Sequence, residues 1–119
     1  MTAADVARLL ALAAAFDQRT VGREDVAAWA SIIGTLDPED AATAIRDHYA
    51  DPRVSTRRVM PSDVLERCRA YARQRLAAHA LPPPRADPDD PAAYRAALAS
   101  QVAAAASRRG LLEITGGTP

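Results

Sequence analysis

The chain has 119 residues and a mass of 12.6 kDa, with 15 basic and 15 acidic residues and a formal net charge of zero, which suits one small domain with room for a tail. No apolar run approaches the roughly 18 residues of a membrane span, and a single cysteine, Cys68, excludes an internal disulfide framework or a multi-cysteine zinc site. The opening MTAADVARLL carries an acid and no cationic leader, so a bacterial cytoplasmic location is expected. All 15 basic residues are Arg, Ala fills 29 positions, and Lys and Asn are absent. That bias is the signature of GC-rich coding sequence, so part of the Arg excess is codon usage rather than selection for phosphate contacts.

Hydrophobic spacing predicts helix almost throughout, and an all-α fold. Val6, Leu9, Leu10 and Ala13 follow the i, i+3, i+4, i+7 rule, Phe16 continues the stripe, and Thr2 with Asp5 forms the pattern of a capping box. The pattern breaks over 17–22. A second helix carries Val26, Trp29, Ala30 and Ile33 on one stripe, with Gly34 placed to end it. Asp37-Pro38 then opens a third helix, with Glu39 and Asp40 in its first turn; it runs to Ala50, where Asp51-Pro52 stops it.

A polar, Arg-bearing connection over 52–59 leads to Met60-Pro61-Ser62-Asp63, the start of a longer fourth helix with a stripe of Val64, Leu65, Cys68, Tyr71, Ala72 and Leu76. No β-branched alternation long enough for a strand is present. Residues 1–80 are therefore expected to form a compact four-helix domain, with Phe16, Trp29, Tyr49, Tyr71 and about a dozen aliphatic residues as its core.

Composition changes at 81–91, where LPPPRADPDDP holds five of the nine prolines and makes a semi-rigid linker. Asp90-Pro91 caps a last, Ala-rich helix expected over 92–109, followed by a flexible tail to 119. Its large apolar residues, Tyr94, Leu98 and Val102, form a narrow stripe that buries little. A helix of this length is marginal alone in water. It is expected either to dock lightly on the domain or to complete its packing on a partner.

Groups for catalysis are sparse. His48 lies on the apolar stripe of the third helix with Ala41, Ala44 and Ile45, and is expected to be a half-buried core or interface residue. Cys68 lies on the inner stripe of the fourth helix, so a buried inert thiol is expected. Asp87, Asp89 and Asp90 are solvated charge plus a helix cap, and the Gly116-Gly117 pair has no helix after it to cradle a phosphate. The reading is non-enzymatic, without metal, cofactor or small-molecule substrate.

Charge is distributed unevenly. Residues 1–52 hold four Arg against nine acids, a balance of −5, whereas 53–75 hold seven Arg against Asp63 and Glu66, a balance of +5. Arg57, Arg58, Arg69 and Arg73 are the candidates for contact with phosphate or an acidic partner. On a helical wheel Arg69 and Arg73 share one flank of the fourth helix, Arg67 takes the other, and Arg75 falls near the apolar edge. The arginines thus border the buried stripe on both sides instead of forming one outward strip, and some can pair with Glu66 or with the acidic first half. A helix-turn-helix reading fails because a recognition helix starting Pro38, Glu39, Asp40 would aim carboxylates at phosphate.

The run LLALAAAFDQRTVGREDVAAWASIIGTLDPEDAATAIRDHYA followed by VMPSDVLERC resembles the phage-type replicative-helicase loader/inhibitor family. The shared pattern is an apolar first helix, a polar break, a helix bearing Trp29, a third helix ending in His48-Tyr49, and a Pro-x-Asp start at Pro61 and Asp63; it covers about residues 4–75. The resemblance implies an adaptor for phage or prophage DNA replication. Such a protein binds a hexameric DnaB-like helicase, holds it inactive and delivers it to an origin-bound initiator. In that family the C-terminal segment makes the helicase contact, which here implicates Tyr94, Arg95, Leu98, Val102, Arg108 and Arg109. The alternatives from the residues alone are a small nucleic-acid-binding regulator using the Arg-rich 53–75 segment, or a module that oligomerises through its Ala-rich helix.

Overall fold

In the computed structural model, which describes residues 1–79, 86–87 and 89–107, five helices follow in chain order: α1 Ala3–Asp17, α2 Arg23–Ile33, α3 Pro38–Ala50, α4 Pro61–Ala78 and α5 Pro91–Ala106. No strand occurs among the described residues, so the fold is all-α. The helix starts use the signals read from the sequence. At α1 the Thr2 hydroxyl accepts from the Asp5 N–H (3.1 Å) while Asp5 accepts from the Thr2 N–H (2.8 Å), a reciprocal box. At α3 the Asp37 carboxylate accepts from the N–H groups of Glu39 and Asp40, ahead of Pro38. At α5 Asp90 accepts from the Ala93 N–H at 3.1 Å, ahead of Pro91.

The ends were harder to foresee. Asp17 remains helical, and α1 closes on Gln18, which takes the left-handed conformation at φ 62°; a non-glycine residue there is uncommon. Gly34 ends α2 as expected, but in right-handed geometry (φ −60°). What demands glycine is close approach, since a Cβ there would lie 2.4 Å from the Ala30 carbonyl oxygen. The last helix ends at Ala106, not at 109: Ser107 is already extended at ψ 150°. Arg108 and Arg109 lie outside the described residues.

The chain divides into two units, Met1–Arg69 and a second beginning at Ala70, with the boundary inside α4. In the first unit α1 packs against both α2 and α3. Its core is Val6, Leu9, Leu10 and Ala13 from α1, Trp29 and Ile33 from α2, Ala41, Ala44, Ile45 and His48 from α3, Val59 from the connection, and Val64 and Cys68 from α4. The stripes of α1 and α3 supply their expected residues, but Val26, Ala30, Tyr49, Leu65, Tyr71, Ala72 and Leu76, also expected inside, are only half-buried, and two further corrections stand out. Phe16 is not core: it is 49% exposed, with one ring face lying on Tyr49 of α3. Val59, in a connection expected to be polar, is fully buried.

In the second unit α5 buries only Ala105 completely, and Leu98 is 39% exposed. The inward residues include Ala97, Gln101 and Ala105 beside half-buried Tyr94 and Val102. The face is thus rotated from the Tyr94–Leu98–Val102 stripe toward small residues, which allow closer approach than Leu98 does. The Arg75 guanidinium approaches the Ala106 carbonyl oxygen at 3.5 Å.

Candidate functional site

The densest polar construction in the first unit is centred on Asp17, the last residue of α1. Arg19, two residues on, lays its guanidinium along the carboxylate: Nε lies 2.9 Å from Oδ1 and Nη2 bonds to Oδ2. Both side chains are largely shielded, with 11% of Arg19 and 7% of Asp17 exposed. Arg19 Nη2 also donates to the Val59 carbonyl oxygen at 2.7 Å, and the guanidinium carbon sits 5.3 Å from the Trp29 ring centroid, within cation–π range. From α3, the Tyr49 hydroxyl donates to Asp17 Oδ2 and accepts from the Val59 N–H at 3.0 Å. One carboxylate, one guanidinium and one phenol thereby tie α1, the α1–α2 loop, α2, α3 and the α3–α4 connection together.

A second layer covers this knot. The Phe16 ring stacks on Tyr49 with centroids 4.8 Å apart and planes at 15°, and His48 meets the same ring edge-on at 4.9 Å. His48 is fully buried, and its Nε2–H donates to the Arg57 carbonyl oxygen at 2.8 Å, so it is a core residue that anchors the connection. Arg57 continues outward to Asp63 in a two-pronged pair at 2.7 and 3.1 Å, and Asp63 also accepts from the Met60 N–H. Asp51, at the end of α3, binds both Arg53 and Arg67.

Electrostatics make these carboxylates fixed anions. Burial pushes the Asp17 carboxyl upward, but the hydrogen bonds from Arg19 and Tyr49 outweigh it and hold the group at about 2. Burial and the neighbouring Asp17 raise the Tyr49 phenol above its usual range. The Asp63 carboxyl is raised by burial but lowered further by Arg57 and the Met60 N–H, and Asp51 is lowered chiefly by its bonds to Arg53. The network positions the connection.

The marks quoted from the sequence converge here in part. His48, Tyr49 and Asp63 all hold the 57–60 segment, Trp29 backs Arg19, and Pro61 starts α4. The candidate arginines separate. Arg57 is committed to Asp63, whereas Arg58 and Arg69 are exposed on the first unit and Arg73 is exposed on the second. Arg67, expected to border the buried stripe, joins Asp51 of the acidic first half at 3.2 Å. In α5, Tyr94 and Val102 are half-buried, and Arg95 is exposed with its Nε on the Pro91 carbonyl oxygen.

Sequence reasoning missed Asp17 and Arg19, which fall where the hydrophobic pattern breaks. The available signal was a D-x-R triplet at a helix end, too common to single out. Cys68 is buried, as its stripe implied. Among the described residues no three His, Cys, Asp or Glu side chains are grouped to hold a metal ion, and no helix is long and apolar enough to cross a membrane. Comparison with protein-family models, with curated proteins and with solved structures finds no match to this chain.

Proposed function

We propose that the protein is a helical adaptor that binds a replicative, DnaB-like hexameric helicase through its C-terminal helix and holds or delivers it during phage or prophage replication, with an origin-binding initiator as the second partner. The partner's identity comes from the sequence resemblance. The observation that carries a partner-binding role is α5. This helix has a complete start signal in Asp90 and Pro91, yet it buries only Ala105 fully and leaves Leu98 39% exposed. A helix with encoded ends and spare apolar surface is suited to finish its packing on another protein. Arg95 on the same helix is exposed and adds a cation beside Leu98.

The test is co-elution of the full chain with the replicative helicase of the host on size exclusion. A stable complex is expected, and Leu98→Glu is expected to dissociate it without unfolding the protein, because Leu98 contributes little buried surface. No co-elution of the unmodified chain with the helicase overturns the reading.

A second reading, nucleic-acid binding, is favoured by the exposure of Arg58 and Arg69 without a carboxylate partner among the described residues. It requires duplex or single-stranded DNA affinity that falls steeply with salt. Retention of Arg57 by Asp63 leaves fewer free cations for it than the sequence count implied.

A further inference from the structure

The inner stripe of α4 changes character along its length. Val64 and Cys68 are buried, whereas Tyr71, Ala72, Arg75 and Leu76, all within the second unit, are half-buried. In that unit the Arg75 guanidinium approaches the Ala106 carbonyl oxygen at 3.5 Å. Ala106 is the last residue of α5, where the helix dipole concentrates negative charge and a cation is favoured. Next to it stands Ala105, the one α5 residue that is completely buried. The C-terminal turn is therefore the firmly held part of α5.

Both ends of α5 are also satisfied within the helix. Asp90 accepts from the Ala93 N–H, and the N–H and hydroxyl of Ser107 return to the carbonyl oxygens of Ala103 and Ala104. These bonds survive if α5 moves away from α4. The large apolar side chains oppose such a move weakly, since Tyr94 and Val102 are half-buried and Leu98 is 39% exposed.

Docked, α5 offers another protein one large exposed apolar anchor, Leu98. A helix that binds in a groove uses anchors spaced one turn apart on one side, and Tyr94, Leu98 and Val102 stand at i, i+4 and i+8. All three are free together only when α5 leaves its place in the second unit.

We propose that the contact of Arg75 with the end of α5 is an autoinhibitory latch. Closed, it keeps Tyr94 and Val102 half-covered; open, it releases α5 to a protein partner as a helix with three anchors. The latch regulates the α5 surface assigned to the helicase and so rests on that assignment, while its opening is measurable without any partner. A partner that selects the open form binds with an apparent affinity proportional to the open fraction. Loosening the latch should therefore tighten binding by the same factor.

Hydrogen exchange on the full chain compares the unmodified protein with Arg75→Ala and Arg75→Glu. Both changes lie on α4 and leave every α5 side chain intact. Released α5 is a marginal helix, so its amides exchange through the open form. They are expected to exchange about threefold faster in Arg75→Ala. A further increase is expected in Arg75→Glu, which sets a carboxylate against the carbonyl end of α5. First-unit amides and Trp29 fluorescence are expected to stay unchanged. Titration with the host replicative helicase is expected to give Kd values lowered by the same factors. Unchanged α5 exchange, or faster exchange that spreads equally into the first unit, overturns the latch. Faster α5 exchange with unimproved helicase binding overturns its autoinhibitory role. Absence of helicase binding by all three proteins overturns the helicase assignment, and the exchange result then judges the latch alone.

Discussion

The α3–α4 connection and α5 present opposite solutions to the same problem, how a segment with few large apolar residues is held in place. The connection contributes one fully buried side chain, Val59, yet it is fastened by Arg19, Tyr49, His48 and Asp63, each bonded to its backbone. The helix α5 satisfies its own backbone and has a strong local start, but it buries only Ala105 completely. The first segment is specified by long-range polar contacts and the second by local propensity. Buried polar contacts tolerate little displacement, because each broken one leaves a desolvated group. An alanine-rich helix can shift on its support at small cost. Rigidity is thus concentrated in the first unit, and adaptability in α5.

The largest effect that could break this contrast is expected from Asp17→Ala. It leaves the largely shielded Arg19 guanidinium without its carboxylate and should cost about 2–3 kcal/mol, read from urea unfolding of the full chain. A cost near that of a surface substitution would mean that the knot does not organise the first unit.

Acid sharpens the same point. The folded Asp17 carboxyl sits at about 2, below its ordinary value of 3.8, so the native state holds its charge longer than the unfolded chain does. Its stabilisation is therefore complete above the ordinary value and lost as pH falls toward 2. Stability measured down that range should fall in the unmodified protein and fall less steeply in Asp17→Asn, which has already lost the charge. Parallel curves would show that other carboxylates carry the acid transition.

A smaller effect is expected at the start of α5. Asp90→Ala removes the acceptor for the Ala93 N–H and should lower the protection of α5 amides by about 1 kcal/mol, seen by hydrogen exchange, while the first unit keeps its protection. Equal loss in both would mean that the two units open together. The smallest is Leu98→Ala, expected to change unfolding stability by no more than about 0.5 kcal/mol, since the side chain is substantially exposed. A large loss would place Leu98 in a packed interior and remove the surface proposed for the partner.

The helices themselves were legible before any coordinates. The Thr2–Asp5 box, Asp37-Pro38 and Asp90-Pro91 are local signals, because a cap forms between residues three positions apart and needs no tertiary contact. The buried stripes of α1 and α3 were legible for the same reason, periodicity being a property of one helix at a time. Phe16 misled because a stripe does not report where the neighbouring helix ends. The narrow stripe of α5 was expected to bury little, and Leu98 is indeed 39% exposed; a nearly uniform alanine helix has no strong preference for the face it turns inward, and small residues allow the closer approach. The charge balance of −5 against +5 suggested a contact surface and allowed some internal pairing, and Arg67 with Asp51 is one such pair.

Element type, capping and the apolar side of α1 and α3 are therefore written in neighbours along the chain, within one or two helical turns. The Asp17–Arg19–Tyr49–Val59 knot, the burial of Val59 and the exposure of Phe16 are not. They join residues up to 40 positions apart, and one carboxylate among fifteen acids carries no local mark of its partner. Only the close packing of α1, α2 and α3 excludes water around Asp17, and only there do a guanidinium, a phenol and two backbone groups together become strong enough to set the path of the chain.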